Sequence, residues 1–362
     1  MSTLQQAKHS LGELFIMGFS GLELSPETAQ FLQRSRIGGT ILFSHNYDSP
    51  AQVAELINLV QSCRQGLPLW VSVDHEGGKV QRFKKPFTRV PEAGLIAESG
   101  SAQLAYEISS LMARELKSVG INLNFSPVSD INTNPKNPVI GRRAYGNTEA
   151  DVSKFVSAIV RGHLTQGVQA CLKHFPGHGD TTVDSHFALP KVTTPLDTLR
   201  EREFRPFTKG LKSGCQFVMS AHILFPELDP EFPATLSKKI LRTLLREELR
   251  FKHLIVSDDM EMQAITDHYG AADAPRLALE AGCDLLIYRS EAAARLAYSS
   301  LETALEQGKL SPEIVLTAAE RSRSIKKQTF PHYRDTVISE VMKDIGTEEH
   351  AQIVAKAPQL KA

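Results

Sequence analysis

Cysteine is scarce in this chain. Four occur in 362 residues, Cys63, Cys171, Cys215 and Cys283, widely spaced and with no Cys-x-x-Cys pair. That excludes a disulfide framework and a cysteine-based zinc site. There is no excess of either charge: 41 Lys and Arg balance 41 Asp and Glu. Proteins whose main partner is a polyanion, whether nucleic acid or an anionic membrane surface, carry a basic surplus that this chain lacks. No apolar stretch approaches the roughly 18 residues needed to span a bilayer. The first 19 residues show no basic segment followed by a long apolar one. A soluble cytoplasmic protein without nucleic-acid or membrane partners is therefore expected. Two cofactor signatures are also missing, Gly-x-Gly-x-x-Gly after the first strand and His-Glu-x-x-His anywhere. His174 and His178 have the spacing of helical zinc ligands, but Pro176 and Gly177 between them forbid the helix. Neither a cofactor nor a metal is expected.

What is present is repetition. Short apolar runs recur at 14–19 (LFIMGF), 38–43 (GGTILF), 69–73 (LWVSV), 121–125 (INLNF), 170–174 (ACLKH), 216–220 (QFVMS), 254–257 (LIVS) and 284–288 (DLLIY). Several are rich in β-branched residues and bounded by Gly, Pro or Asp, as strands buried on both faces should be. Amphipathic segments at 51–63, 102–119, 150–166, 198–213 and 237–249 lie between them, with apolar residues at the spacing of one helix face, as at Val53, Leu56, Ile57 and Val60. Eight strands alternating with helices predict an α/β fold, a single-domain (β/α)8 barrel of the TIM type. An open doubly wound sheet is the alternative. Residues 1–300 are assigned to the catalytic barrel. The polar remainder, 301–362, is assigned to helices packed on it, with a frayed end.

In such a barrel the chemistry sits at the C-terminal ends of the strands. Four of the eight runs end in ionisable residues: Asp74-His75-Glu76-Gly77-Gly78 after the third, Lys173-His174 after the fifth, Ser220-Ala221-His222 after the sixth, and Ser257-Asp258-Asp259 after the seventh. Burying such groups is costly unless they are paired or used. One such end is readily explained by a structural ion pair; four on one rim point to a site. Asp258 and Asp259 are chemically equivalent, and adjacent strand residues point to opposite faces, so one of them should face the pocket. His222 reads as a satisfied barrel histidine, and His178 as a residue that structures its loop.

The longest signal is 173–186, KHFPGHGDTTVDSH. This segment resembles the signature of family 3 glycoside hydrolases of the β-N-acetylhexosaminidase type, the single-domain peptidoglycan-recycling β-N-acetylglucosaminidases. Asp74-His75-Glu76-Gly77-Gly78 with Val80, Gln81 and Arg82 is similar to the family's D-x-E-G-G-x-V-x-R segment. Ile140-Gly141-Arg142-Arg143-Ala144-Tyr145 resembles its I-G-x-R loop. Val256-Ser257-Asp258-Asp259-Met260 resembles its seventh strand end. The motifs occur in family order.

The resemblance implies a retaining exo-β-N-acetylglucosaminidase acting on a small carbohydrate, GlcNAc-anhydroMurNAc with or without peptide, as a monomer in cell-wall recycling. It makes Asp258 the nucleophile, His186 the acid and base, and Asp184 the partner that orients it. It places Asp74, Arg82, Arg143, Lys173 and His174 on the sugar. Lys173 and His174 are consecutive, so using both requires a local distortion such as a bulge. The Gly-rich loop that bears the dyad is expected to close over bound substrate. A β-glucosidase, a silent muropeptide sensor on the same barrel, and a metal-dependent barrel hydrolase are the competing readings.

Overall fold

The structure, a computed structural model, describes residues 1–184 and 189–358. Eight parallel strands close into a barrel: β1 (Phe15–Met17), β2 (Gly39–Leu42), β3 (Trp70–Val73), β4 (Leu123–Asn124), β5 (Gln169–Phe175), β6 (Phe217–Ser220), β7 (Leu254–Asp259) and β8 (Leu285–Tyr288). Each pairs with its neighbours in sequence, and β1 pairs with β8 to close the ring. All eight predicted runs became strands, and helices cover the outside. Every strand residue is buried except Asp258 and Asp259 at the end of β7. Burial on both faces leaves no place for polar alternation, which is why the runs read as continuously apolar.

Alternate strand positions fill the barrel. Ile16, Ile41, Trp70, Leu123, Cys171, Phe217, Met219, Leu254, Val256, Leu285 and Ile287 form one interior cluster. Trp70, the chain's single tryptophan, meets Phe217 edge to face with centroids 5.0 Å apart. The opposite face of each strand packs against the surrounding helices in a second, larger core.

Two elements differ from expectation, each for a local reason. The run at 121–125 yields only a two-residue strand, because Pro127 follows within four residues of Leu123 and has no N–H for the ladder. The helix predicted over 198–213 is split into Leu196–Glu201 and Phe204–Lys212. Pro206 cannot donate to the carbonyl of Arg202, so one continuous helix would lose a bond there and clash. The break turns Arg202 and Glu203 out of helical register.

After β8 the helix Glu291–Glu306 runs through position 300, and Pro312–Thr329 lies across the bottom of the barrel. Ile325 and Phe330 pack against the interior cluster, and Lys326 reaches Glu13 at 2.7 Å and donates to the Gly38 carbonyl at 2.8 Å. The following segment is held by a buried carboxylate. Glu115 accepts from the Thr88 N–H, the Gly346 N–H and His350 Nδ1 at 2.8–2.9 Å. Among the described residues no helix is long and apolar enough to cross a membrane.

Candidate active site

The C-terminal ends of the strands open into a cavity of about 490 Å³. Asp74, Arg82, Phe125, Met219, Asp258, Asp259, Met262 and Arg289 are among its lining residues. Asp74 follows β3. The chain then turns through a small antiparallel ribbon that pairs His75–Gly77 with Val80–Gln81. Asn124 at the end of β4 brackets this ribbon: its Oδ1 accepts from the His75 N–H at 3.0 Å and its Nδ2 donates to the His75 carbonyl at 2.8 Å. Asp74 is thus set between two strands whose ends are tied together.

Lys173 of β5 is 2 % exposed and sits between two carboxylates, 2.8 Å from Asp74 Oδ1 and 2.7 Å from Glu76 Oε1. Arg143 grips Glu76 with both arms of its guanidinium, Nε to Oε2 at 2.9 Å and Nη2 to Oε1 at 2.8 Å. Arg82 Nη2 lies 3.7 Å from Asp74 Oδ2. Burial would push the Glu76 carboxyl up, but Arg143 and Lys173 overcome this and hold it well below the usual carboxylate range. Burial likewise opposes the Lys173 ammonium, and Asp74 and Glu76 raise it above its ordinary value. Arg142 instead faces outward, paired with Glu92 and Glu98 at 3.0 Å each.

The side chain of His174 is oriented by Asp130. Asp130 Oδ2 accepts from Nδ1 at 2.7 Å, and its oxygens also accept the backbone N–H groups of His174 and His178. A carboxylate accepting at Nδ1 places the ring proton on that nitrogen. The expected distortion between Lys173 and His174 is present. The β5–β6 register shifts between Leu172 and Phe175, and the Lys173–His174 peptide is cis. His178 is buried and bonded through Nδ1 to Thr181 Oγ1 at 2.8 Å, and burial, then His174, pushes its imidazole down to about 4. That fits a neutral loop-structuring residue.

Asp258 stands at the end of β7, where its Oδ1 accepts the Asp259 N–H at 2.8 Å. Burial pushes the carboxyl up, but His174, His222, this N–H and Lys173 outweigh it, so the group lies below its ordinary value and stays ionised. Only one of the two adjacent aspartates was expected to face the pocket, yet both line it. Val256 pairs with Leu285 but Asp259 with Ile287, so β7 carries an extra residue there and the alternation is broken. Asp259 differs in character: burial, with Glu261 and Asp258 nearby, pushes its carboxyl up to about 7. His222 is buried beneath, with Nδ1 2.8 Å from Thr235 Oγ1 and Nε2 3.0 Å from the Asp259 carbonyl.

The structure therefore gathers Asp74, Arg82, Arg143, Lys173, His174 and Asp258 at one mouth. Asp184 belongs to the loop after β5, and His186 lies outside the described residues. Sequence reasoning missed three contributors. Glu76 had a signal, since in extended chain it shares a face with Asp74 two residues earlier. Asp130 and Asn124 had none, because the partners that define them are 39 to 49 residues distant.

Residues 7–325 match the glycosyl hydrolase family 3 N-terminal domain. A β-hexosaminidase of Pseudomonas aeruginosa is 37% identical over 289 residues, covering 79% of this chain and 86% of that protein. β-Hexosaminidase A of Pseudoalteromonas piscicida is 35% identical over 330 residues; 84% of this chain is covered, but this chain spans only 55% of that protein's length. The solved structure of a family 3 β-N-acetylglucosaminidase from Paenibacillus sp. str. FPU-7 superposes with a TM-score of 0.89 at 38% identity, covering 96% of this chain and 67% of that one. The matched segment takes in every strand of the barrel and every charged group at its mouth. The chain belongs to glycoside hydrolase family 3, on its β-N-acetylhexosaminidase branch.

Proposed function

We propose that this chain is a retaining exo-β-N-acetylglucosaminidase that releases non-reducing terminal GlcNAc from β-1,4-linked (anhydro)MurNAc muropeptides, as a monomeric cytoplasmic enzyme of cell-wall recycling. The observation that carries the reading is Asp258: an ionised carboxylate at the end of β7, lining the same cavity as Asp74, whose own carboxylate is tied through Lys173 to Glu76 and Arg143. That cluster presents fixed donors and acceptors to a neutral, hydroxyl-rich ligand. The names of the relatives supply the sugar class.

In this mechanism Asp74, Arg82, Arg143, Lys173 and His174 hold the terminal sugar. A carboxylate oxygen of Asp258 attacks the anomeric carbon as the bond to the leaving oxygen breaks, giving a glycosyl ester. His186, oriented by Asp184, donates its proton to that oxygen. It then takes a proton from water as the water attacks the ester and frees Asp258. Both steps invert the carbon, so the released sugar keeps the β configuration. Neither step calls for a metal or cofactor.

The test is product analysis with GlcNAc-anhydroMurNAc, with and without phosphate, followed by trapping with a 5-fluoro glycosyl substrate. Free β-GlcNAc and label on Asp258 are expected. No GlcNAc release would refute the activity; a product that forms only as the sugar phosphate would replace hydrolysis by phosphorolysis. Label on Asp259 would move the nucleophile one residue along β7.

A further inference from the structure

The loop that leaves β5 is built in two parts, and the first is fixed from both sides. On one side Asn137 donates to the carbonyls of His178 and Gly179 at 2.8 and 2.9 Å and to Thr181 Oγ1 at 3.1 Å. Asn134 adds a bond to the Thr181 carbonyl at 3.1 Å. Gly179 is pressed so close to Ile131 that a Cβ there would collide with its carbonyl oxygen. On the other side stands Asp180. Its carboxylate accepts from Thr133 Oγ1, from Thr194 Oγ1 at 2.6 Å, and from Arg202 Nη2. Arg202 in turn donates through Nε to Glu203 at 2.6 Å, and Glu203 is buried beneath Gly177.

Thr194 and Arg202 belong to the limb on which the chain returns. Asp180 therefore joins the outgoing limb to the returning one, fourteen residues later, and closes the loop at its base. The returning limb is pinned too, by the paired backbone bonds of Pro190 and Val192 with Leu224. Beyond this neck Thr182 and Val183 are exposed, and Asp184 follows four residues after Asp180. None of Asp180, Thr194 or Arg202 lines the sugar cavity.

We propose that the Asp180–Arg202 pair, with Thr194, is a positioning device: it fixes the base of the loop that bears Asp184 and so sets the pose from which the proton-transfer dyad works. This rests on the reading of Asp184 and His186 as that dyad. Arg202 sits at the break in the predicted 198–213 helix, between Leu196–Glu201 and Phe204–Lys212, with its guanidinium on Asp180.

The test exploits leaving-group chemistry. An aglycone of low pKa departs without a proton, whereas an alkyl-type sugar alcohol needs one. A misplaced acid should cost about 10²-fold in kcat with the poor leaving group. Arg202→Ala is expected to show that loss with a disaccharide, a loss below about 3-fold in the glycosylation step with a nitrophenyl glycoside, and an unchanged inhibition constant for free GlcNAc. Arg202→Lys should recover part of it. Thr194→Val, which removes one donor to Asp180 at the loop surface, should shift the same ratio in the same direction and serves if Arg202→Ala does not fold. Equal losses on both substrates, or none, overturn the proposal. His186→Ala is run beside them. If it shows the leaving-group dependence and the Arg202 and Thr194 variants do not, the positioning role alone falls. If His186→Ala shows none, the dyad reading falls and the positioning role with it.

Discussion

Glu76→Gln is the substitution that tests the charged wall of the site most directly. It keeps the shape of the side chain and removes one of the two carboxylates, Asp74 and Glu76, that face Lys173, Arg143 and Arg82. At 2.7 Å and an effective dielectric of 20, the Lys173 contact alone is worth about 6 kcal/mol of gross Coulomb attraction. Desolvation of each ion offsets most of that in the intact cluster. Removing one partner leaves the offset in place and deletes the attraction, which typically costs about 3–5 kcal/mol. Lys173 keeps Asp74, and the amide oxygen of Gln can still accept one bond, so the lower end applies: about 3 kcal/mol, or roughly a 100-fold fall in the folding constant. The pH dependence supplies a second, sharper check. Because Glu76 has its folded pKa depressed, its contribution is complete above the unfolded value near 4.5 and is lost as pH falls toward the folded one. The stability gap between parent and variant, measured by urea unfolding, should be flat from pH 5 to 8. Below pH 4.5 it should close by up to about 1.4 kcal/mol per unit. A gap under 1 kcal/mol at pH 7, or one that does not narrow in acid, would refute the claim that Glu76 is an ionised, paired group.

Asp259→Asn carries the opposite sign. A buried acid raised to about 7 among Asp258, Glu261 and Arg289 binds its proton more tightly folded than unfolded, so stability declines as pH rises from about 4 to 7. The variant should gain on the parent across that window by up to about 4 kcal/mol, read from unfolding at pH 4 and pH 7.5; parallel curves would contradict it. Asn124→Ala strips the His75 backbone of both bonds and should cost about 2–4 kcal/mol in denaturant unfolding, with a raised KM because Asp74 is released. Gly179→Ala forces the loop off Ile131 and should lower stability by about 2–3 kcal/mol or more. Activity should fall further than this modest loss of folded protein explains, when assayed at a temperature where the variant is folded.

How far the sequence revealed this molecule depended on the range of the interactions involved. The barrel was legible because its cause is local: a strand buried on both faces must be apolar at every position, and eight such runs are visible without any knowledge of their neighbours. Asp74, Lys173, His174 and Asp258 were legible because each ends such a run. The helix at 198–213 was misjudged, since its apolar spacing continues through Arg202 while Pro206 forbids the backbone to follow. The pairing of Asp258 and Asp259 was misjudged as well. Strict alternation holds only in a regular strand, and the extra residue in β7 shows itself only in register with β8. Asp130 lies beyond any local rule, because its three hydrogen-bonded partners are brought to it by the closure of the barrel.

The charges at the mouth divide into two kinds, and the division is what makes a nucleophile possible. Asp74 and Glu76 are each held within 2.8 Å of a cation, so they are fixed in place and their lone pairs are committed. Such a carboxylate can orient a sugar but is poorly placed to attack it. Among the described residues, Asp258 has no ion pair in direct contact; its one hydrogen bond is to the neighbouring N–H. It is kept ionised by His174, His222 and Lys173 acting at longer range. Positive charge at longer range, such as that of Lys173, stabilises the anion without occupying its oxygens, because the Coulomb attraction falls off slowly with distance whereas a hydrogen bond is lost within an ångström. Lys173 serves both kinds at once. It binds Asp74 and Glu76 directly and still contributes to the field at Asp258. Glu76→Gln removes a negative charge beside Lys173 and so strengthens that field; it should therefore change the sugar-binding wall and push the Asp258 carboxyl further down together.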